Sequence, residues 1–169
     1  MRDSELALTA DAFIFALAYQ VPPWLLGLLL KLLTPHPVAR AVLVLPGTFV
    51  HETLHLIVGL IVNGKPVSVS LWPRKVNHGQ WILGAVGFAN LRWYNAVFIG
   101  LAPLLAVAGA MLLAPPLGGW SLGLEDVKRW AIASPILAMC MPSATDLKLA
   151  LKSWPILCAG VAVVVWRMH

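Results

Sequence analysis

Long apolar runs separated by short polar breaks dominate the chain. Leu6 to Leu33 is apolar but carries Pro22-Pro23. Two adjacent prolines remove two amide donors and disfavour helix just before them, so the pattern predicts helix 6–33 kinked at 22–23. Thr34-Pro35-His36-Pro37 is a break. A second run predicts helix 38–62, closed by Asn63-Gly64-Lys65-Pro66. The texture then changes. Val67-Ser68-Val69-Ser70-Leu71 alternates with period two, Pro73-Arg74-Lys75 and Asn77-His78-Gly79 are turn-like, and an apolar stretch through Val86 follows. Together they predict a β-hairpin over 66–88. An open sheet cannot face lipid tails, so the hairpin belongs at the interface or against helices. Helices 93–114, 127–146 and 154–168 follow, the last bracketed by Trp154 and Trp166 as at two membrane interfaces.

Composition turns this pattern into a class. Of 169 residues, 60% are hydrophobic and 11% charged, with a mean hydropathy of +0.83. Soluble domains carry about 25% charged residues. A soluble globular domain and a disordered chain are therefore both excluded. The expected fold is an all-α integral membrane protein, a single polytopic domain over 1–169 with four to five transmembrane helices. The small membrane-associated β-hairpin lies between the second helix and the next. The length leaves no room for a sizeable soluble domain. Ala16-Leu17-Ala18 resembles a signal-peptidase site, but Arg2-Asp3-Ser4-Glu5 is not basic and Asp11 interrupts the apolar stretch, so the first segment is expected to stay. The net charge of +5 comes from cations placed singly between apolar runs, which suits lipid headgroups and no nucleic acid. Cys140 and Cys158 sit singly in apolar segments and read as small buried hydrophobes.

Candidate chemistry is concentrated at His51-Glu52-Thr53-Leu54-His55. Residues i and i+4 of a helix share a face, so both imidazoles can bind one metal ion. Glu52 then stands beside the metal, suited to act as a general base on an activated water. These ionisable groups interrupt a run of Val, Leu, Phe and Ile, where a charge costs about 2.5–3.5 kcal/mol, which marks a functional site. Gly47, Thr48 and Gly59 fall on or near the same face and leave room for a facing helix or a substrate. Zinc needs a third protein ligand and an open position. Asp146 is the candidate: it is expected to end an apolar helix, after a Pro-Ser-Ala-Thr segment that can turn the carboxylate inward. Glu125 is the rival, although Asp126, Lys128 and Arg129 around it suggest a wet loop. Asp11 reads as a polar contact between helices, and His78 as a surface residue of the hairpin turn.

From Val38 to about Lys152 the chain resembles the site-2 protease family of intramembrane zinc metalloproteases. The shared elements occur in the family's order: the His51-Glu52-Thr53-Leu54-His55 helix, a short β segment over Val67 to Val86, a helix opening with Gly100-Leu101-Ala102-Pro103, and the aspartate of Pro142-Ser143-Ala144-Thr145-Asp146. Leu147 and Lys148 follow the aspartate where the family usually has Gly, and Leu104 and Leu105 follow Pro103 where an Asn is common. The resemblance implies zinc held by His51, His55 and Asp146, with Glu52 as the catalytic base.

The expected activity is hydrolysis of peptide bonds within or at the edge of the membrane. Zinc would bring the pKa of its water toward ~7 and polarise the scissile carbonyl, and Glu52 would carry the proton to the leaving amine. The substrate is a membrane-embedded or membrane-tethered peptide, extended and paired to the strand near Val67 to Leu71. Two rival readings stay open. One is a zinc peptidase of another family that uses Glu125 as third ligand. The other is a non-enzymatic membrane protein, a transporter or an interaction partner, with a vestigial metal site. Transporters spread ionisable residues over several helices along a path, whereas here one helix and one distant Asp carry them. The expected location is the plasma membrane of a bacterium or archaeon. With the hairpin in the cytosol, Arg2, Lys65, Arg74, Lys75, Arg92, Lys148 and Lys152 lie inside and Lys31, Arg40, Lys128, Arg129 and Arg167 outside, placing the active site toward the cytosol.

Overall fold

The computed structural model describes residues 2–75 and 81–168. The chain is mostly helical, at 67%, with a small antiparallel sheet. Its elements are α1 (Arg2–Ala18), α2 (Val21–Leu33), α3 (Pro37–Ile61), β1 (Pro66–Ser70), β2 (Arg74–Lys75), β3 (Trp81–Ile82), β4 (Ala85–Phe88), α4 (Ala96–Leu101), a 3₁₀ turn (Ala102–Leu104), α5 (Leu105–Met111), α6 (Leu124–Leu137), α7 (Ala144–Ala150), a second 3₁₀ turn (Leu151–Ser153) and α8 (Trp154–Met168). Among the described residues, three helical stretches are long and apolar enough to cross a membrane: Thr9–Leu33, Pro37–Ile61 and Ala144–Arg167. Large apolar side chains along them, such as Phe13, Leu32, Ile61 and Val164, stay exposed. The chain is therefore suited to a membrane, where lipid covers such surfaces.

Several boundaries differ from the sequence expectation, each for a local reason. The break in the first run lies at Tyr19 and Gln20, ahead of Pro22-Pro23. Prolines 22 and 23 cannot donate to the carbonyls four residues earlier, so α1 ends at Ala18, and both prolines fit the first turn of α2, where amides lack helical partners anyway. The expected helix 93–114 begins at Ala96 and passes through the 3₁₀ turn at Pro103. The expected helix 127–146 is α6 alone, ending at Leu137, and Asp146 lies in the first turn of the next helix. Pro142 disfavours helix before it, and Ser143 starts a new one. The strands pair antiparallel in two two-stranded sheets, β1 with β4 and β2 with β3, and the β1–β4 register shifts between Pro66 and Ser68. The expected Asn77-His78-Gly79 turn lies outside the described residues, as does His169. Cys140 is buried, whereas Cys158 is exposed on α8. Asp11 and His36 are also exposed.

Where the sequence predicts a single domain, the chain contacts group into two compact units. The first comprises residues up to Gly47 and Ala106–Cys140. In it α2 packs on α6, with Gly27 backed directly onto Ser134 and Ala138. Its polar centre is Asp126, which is 2% exposed. The Tyr19 hydroxyl donates to Asp126 Oδ1 at 2.7 Å, and the Ser121 amide and hydroxyl donate to Oδ2 at 3.0 and 3.2 Å. The Tyr19 ring stands edge-on to Trp120 at 5.8 Å and lies 5.7 Å from Trp130. The carboxylate thus ties the α1–α2 break to the loop ahead of α6. A buried charge is tolerated only when so partnered.

The second unit comprises Thr48–Leu105 and Met141 onward. Here α3 closes in a Schellman turn: Asn63 takes φ 57°, its amide donates to Leu60, and Gly64 N–H donates to the Gly59 carbonyl. Buried Asn95 joins that turn to α4. Its amide group donates to the carbonyls of Val62 and Asn90 at 3.3 and 2.9 Å, and its oxygen accepts from Arg92 N–H at 2.8 Å. Ser153 Oγ accepts from the Val97 amide at 2.8 Å and so caps α4 from a distant element.

Removing one partner of a buried charge leaves the other unsatisfied. Asp126→Ala is expected to destabilise the protein by about 1–3 kcal/mol, and Tyr19→Phe by less because the Ser121 donors remain. Thermal unfolding in detergent measures both; equal stability of Asp126→Ala and wild type contradicts the assignment.

Candidate metal centre

His51, Glu52 and His55 lie on α3 and Asp146 on α7, all within the second unit. The three α3 side chains are buried, at 7, 8 and 5% exposure. The His51 and His55 rings meet edge-on, with their Nε2 atoms 3.1 Å apart. Asp146 Oδ2 is 3.4 Å from His51 Nε2, and Oδ1 is 3.2 Å from His55 Nε2. Ligand atoms placed tetrahedrally about 2.0–2.1 Å from an ion stand roughly 3.3 Å apart. The three donors fit such an ion. His51, His55 and Asp146 could therefore hold a metal ion.

His55 and Asp146 are each aimed by their own surroundings. His55 Nδ1–H donates to the Ile99 carbonyl at 2.7 Å, which leaves Nε2 bare and facing its partners. That carbonyl also accepts from the Ala102 amide. Residue 103, whose amide would meet it in a continuing α-helix, is a proline without N–H. The Gly100-Leu101-Ala102-Pro103 sequence thus keeps a lone pair free for the histidine. Asp146 is held by a capping box: Ser143 N–H donates to its Oδ2 at 2.7 Å, and its own amide donates to Ser143 Oγ at 3.2 Å. Gly100 lets α4 approach this turn, since a Cβ there would stand 2.5 Å from the Asp146 carbonyl oxygen.

Glu52 shares a cavity of about 510 Å³ with the three donors. Ala85 to Phe88 of β4 form one wall, and Ser143, Thr145, Lys148 and Lys152 contribute to another. Gly84, between β3 and β4, lies against Glu52: a Cβ at this position would stand 2.5 Å from Glu52 Cγ and 2.8 Å from Oε1. The room expected beside Gly59 is taken by the Phe88 ring and that beside Gly47 by the Pro135 carbonyl. Glu125 is not among the gathered groups. It is exposed in the first unit, paired with Lys128 at 2.6 Å. The Val67 to Leu71 strand expected at the substrate site is absent from the cavity lining, where β4 stands instead. Reasoning from sequence also missed Ser143, Gly84 and the Ile99 carbonyl. Only Ser143 carried a readable signal, its Ser-x-x-Asp spacing ahead of an apolar run.

Gly84→Ala forces either the β3–β4 link or the Glu52 carboxylate to move. The variant is expected to keep metal stoichiometry, because the atoms nearest to a Cβ at Gly84 all belong to Glu52 and not to a donor, while any function that depends on Glu52 falls. Metal content by elemental analysis and a crystal structure of the variant check this; a structure in which neither the β3–β4 link nor Glu52 has moved contradicts it.

No protein-family model, curated protein or solved structure matches the chain.

Proposed function

We propose that the chain is an intramembrane zinc metalloendopeptidase of the site-2 protease kind, acting on membrane-embedded or membrane-tethered peptides. The observation that carries this reading is that Glu52 shares one cavity with three donors whose spacing fits a tetrahedral ion. Two imidazoles and one carboxylate, with a fourth position open to the cavity, are the donor set of a catalytic zinc site. Zinc bound there would act as a Lewis acid toward the scissile carbonyl and its attacking water. His51, His55 and Asp146 hold the ion. Glu52 accepts the proton of the attacking water on a carboxylate oxygen and delivers it to the leaving amine. The β4 wall offers backbone to an extended substrate in place of the Val67 to Leu71 strand.

The site lies near the ends of two spans. His55 is six residues before the end of Pro37–Ile61, and Asp146 is two residues into Ala144–Arg167. At about 1.5 Å per residue, both stand within roughly 10 Å of a span end. This placement supports cleavage near the membrane edge, and the charge bias supports a site facing the cytosol; a bacterial or archaeal plasma membrane is the proposed setting. With the shorter apolar helix Ala96–Met111 as a further pass, and α6 as a fifth, the proposed count is four to five.

Purified protein is expected to contain about one zinc per chain. Glu52→Gln keeps the metal and lowers peptide hydrolysis by about a hundredfold or more. Asp146→Ala loses zinc, and Glu125→Ala retains it. Elemental analysis and a peptide-cleavage assay decide these outcomes; an active Glu52→Gln variant overturns the mechanism.

A further inference from the structure

We infer that the cavity selects peptides with carboxylate side chains at alternate positions, read by Lys148 and Lys152. The inference rests on the peptidase reading and adds the substrate class to it. Both lysines line the same cavity as His51, Glu52, His55 and Asp146. Both are exposed side chains. Neither forms an ion pair with a carboxylate among the described residues, whereas Lys128 is paired with Glu125 at 2.6 Å. The acidic groups of the cavity lining are Glu52 and Asp146. Asp146 is already engaged with two histidines and the Ser143 amide.

The charge balance of this cavity points the same way. Glu52 and Asp146 offset the two lysines, and a divalent ion leaves the lining net positive. A positive, partly desolvated cavity attracts anionic groups and rejects cationic ones. The lining also includes β4, Ala85-Val86-Gly87-Phe88, which carries no charge. A peptide in the cavity therefore meets the neutral backbone of β4 as well as two ammonium groups.

Spacing gives the pattern. Lys148 and Lys152 are four residues apart, on the last turns of α7 and the 3₁₀ turn after it. Side chains at i and i+4 of a helix stand about 6 Å apart. Side chains on one face of an extended strand repeat every two residues, about 6.6 Å. Two carboxylates at positions n and n+2 of an extended substrate match the two lysines, each forming a charge-assisted hydrogen bond. Lipid phosphates share the anionic chemistry, but a headgroup between these lysines would occupy the path of the substrate to Glu52.

The test uses the full chain with zinc, in nanodiscs of phosphatidylcholine, and the inert Glu52→Gln variant as the binding form. The probes are fluorescein-labelled peptides of one apolar sequence with Glu at positions n and n+2, or Gln, or Lys. Fluorescence anisotropy is expected to show the Glu peptide bound about tenfold more tightly than the Gln peptide, the Lys peptide weakest, and the preference shrinking with salt. Adding Lys148→Gln and Lys152→Gln abolishes the preference at unchanged zinc content, Lys148→Arg with Lys152→Arg preserves it, and Lys148→Glu with Lys152→Glu transfers it to the Lys peptide. In the active enzyme the Gln pair raises KM for the Glu peptide more than it lowers kcat. Equal binding of Glu and Gln peptides overturns the inference, and so does a preference that survives the Gln pair. Lysine substitutions that change only the binding of phosphatidylglycerol added to the nanodiscs, read by native mass spectrometry, assign the pair to the bilayer and also overturn it. A peptide preference without any cleavage by the wild type supports this inference while removing the peptidase reading.

Discussion

The second unit depends on how one carboxylate is satisfied. Asp146 accepts from the Ser143 amide at the start of α7 and faces Nε2 of His51 and of His55. A carboxylate in an apolar setting is tolerated only with such partners. Its position is set by helix capping, a local interaction within four residues. Its partners come from α3, about ninety residues earlier in the chain. Local capping and long-range pairing therefore converge on the same oxygens, and the packing of α4 against α7 at Gly100 holds that convergence in place.

Around this carboxylate several other buried polar groups of the unit are completed by an element distant in sequence. Ile99 completes His55, Ser153 completes the start of α4, and Asn95 completes the end of α3. Such networks cost more to break than isolated surface bonds, because the released group stays away from water. The apolar exterior contributes no such specificity, since lipid and aliphatic side chain are chemically alike.

Much of this was legible in the sequence. The long runs announced α3 and the final helix, and the alternation after Pro66 announced the hairpin, although Val67 and Val69 stay exposed in β1. His51, Glu52 and His55 stood out because ionisable groups rarely interrupt such a run. Asp146 could be picked out by elimination, yet its place was misread: Pro142 and Ser143 make it the start of a helix, where the sequence suggested an end. The proline pair at 22–23 was read as the kink itself, although the carbonyls it leaves unpaired lie four residues upstream. The hidden parts are those that depend on three-dimensional neighbours. Nothing along the chain announces that Gly84 meets Glu52, that β4 rather than β1 lines the cavity, or that Asp126 is buried under Tyr19.

The proline at position 103 has an effect on timing as well as on geometry. By keeping the Ile99 carbonyl open to His55, it fixes the tautomer and the ring angle of that ligand through the backbone of α4. An imidazole so held loses little rotational freedom when an ion arrives and needs no proton relocation between its nitrogens. Capture of a metal ion there would then be governed by entry of the ion and loss of its hydration shell, with little of the barrier coming from rearrangement of His55.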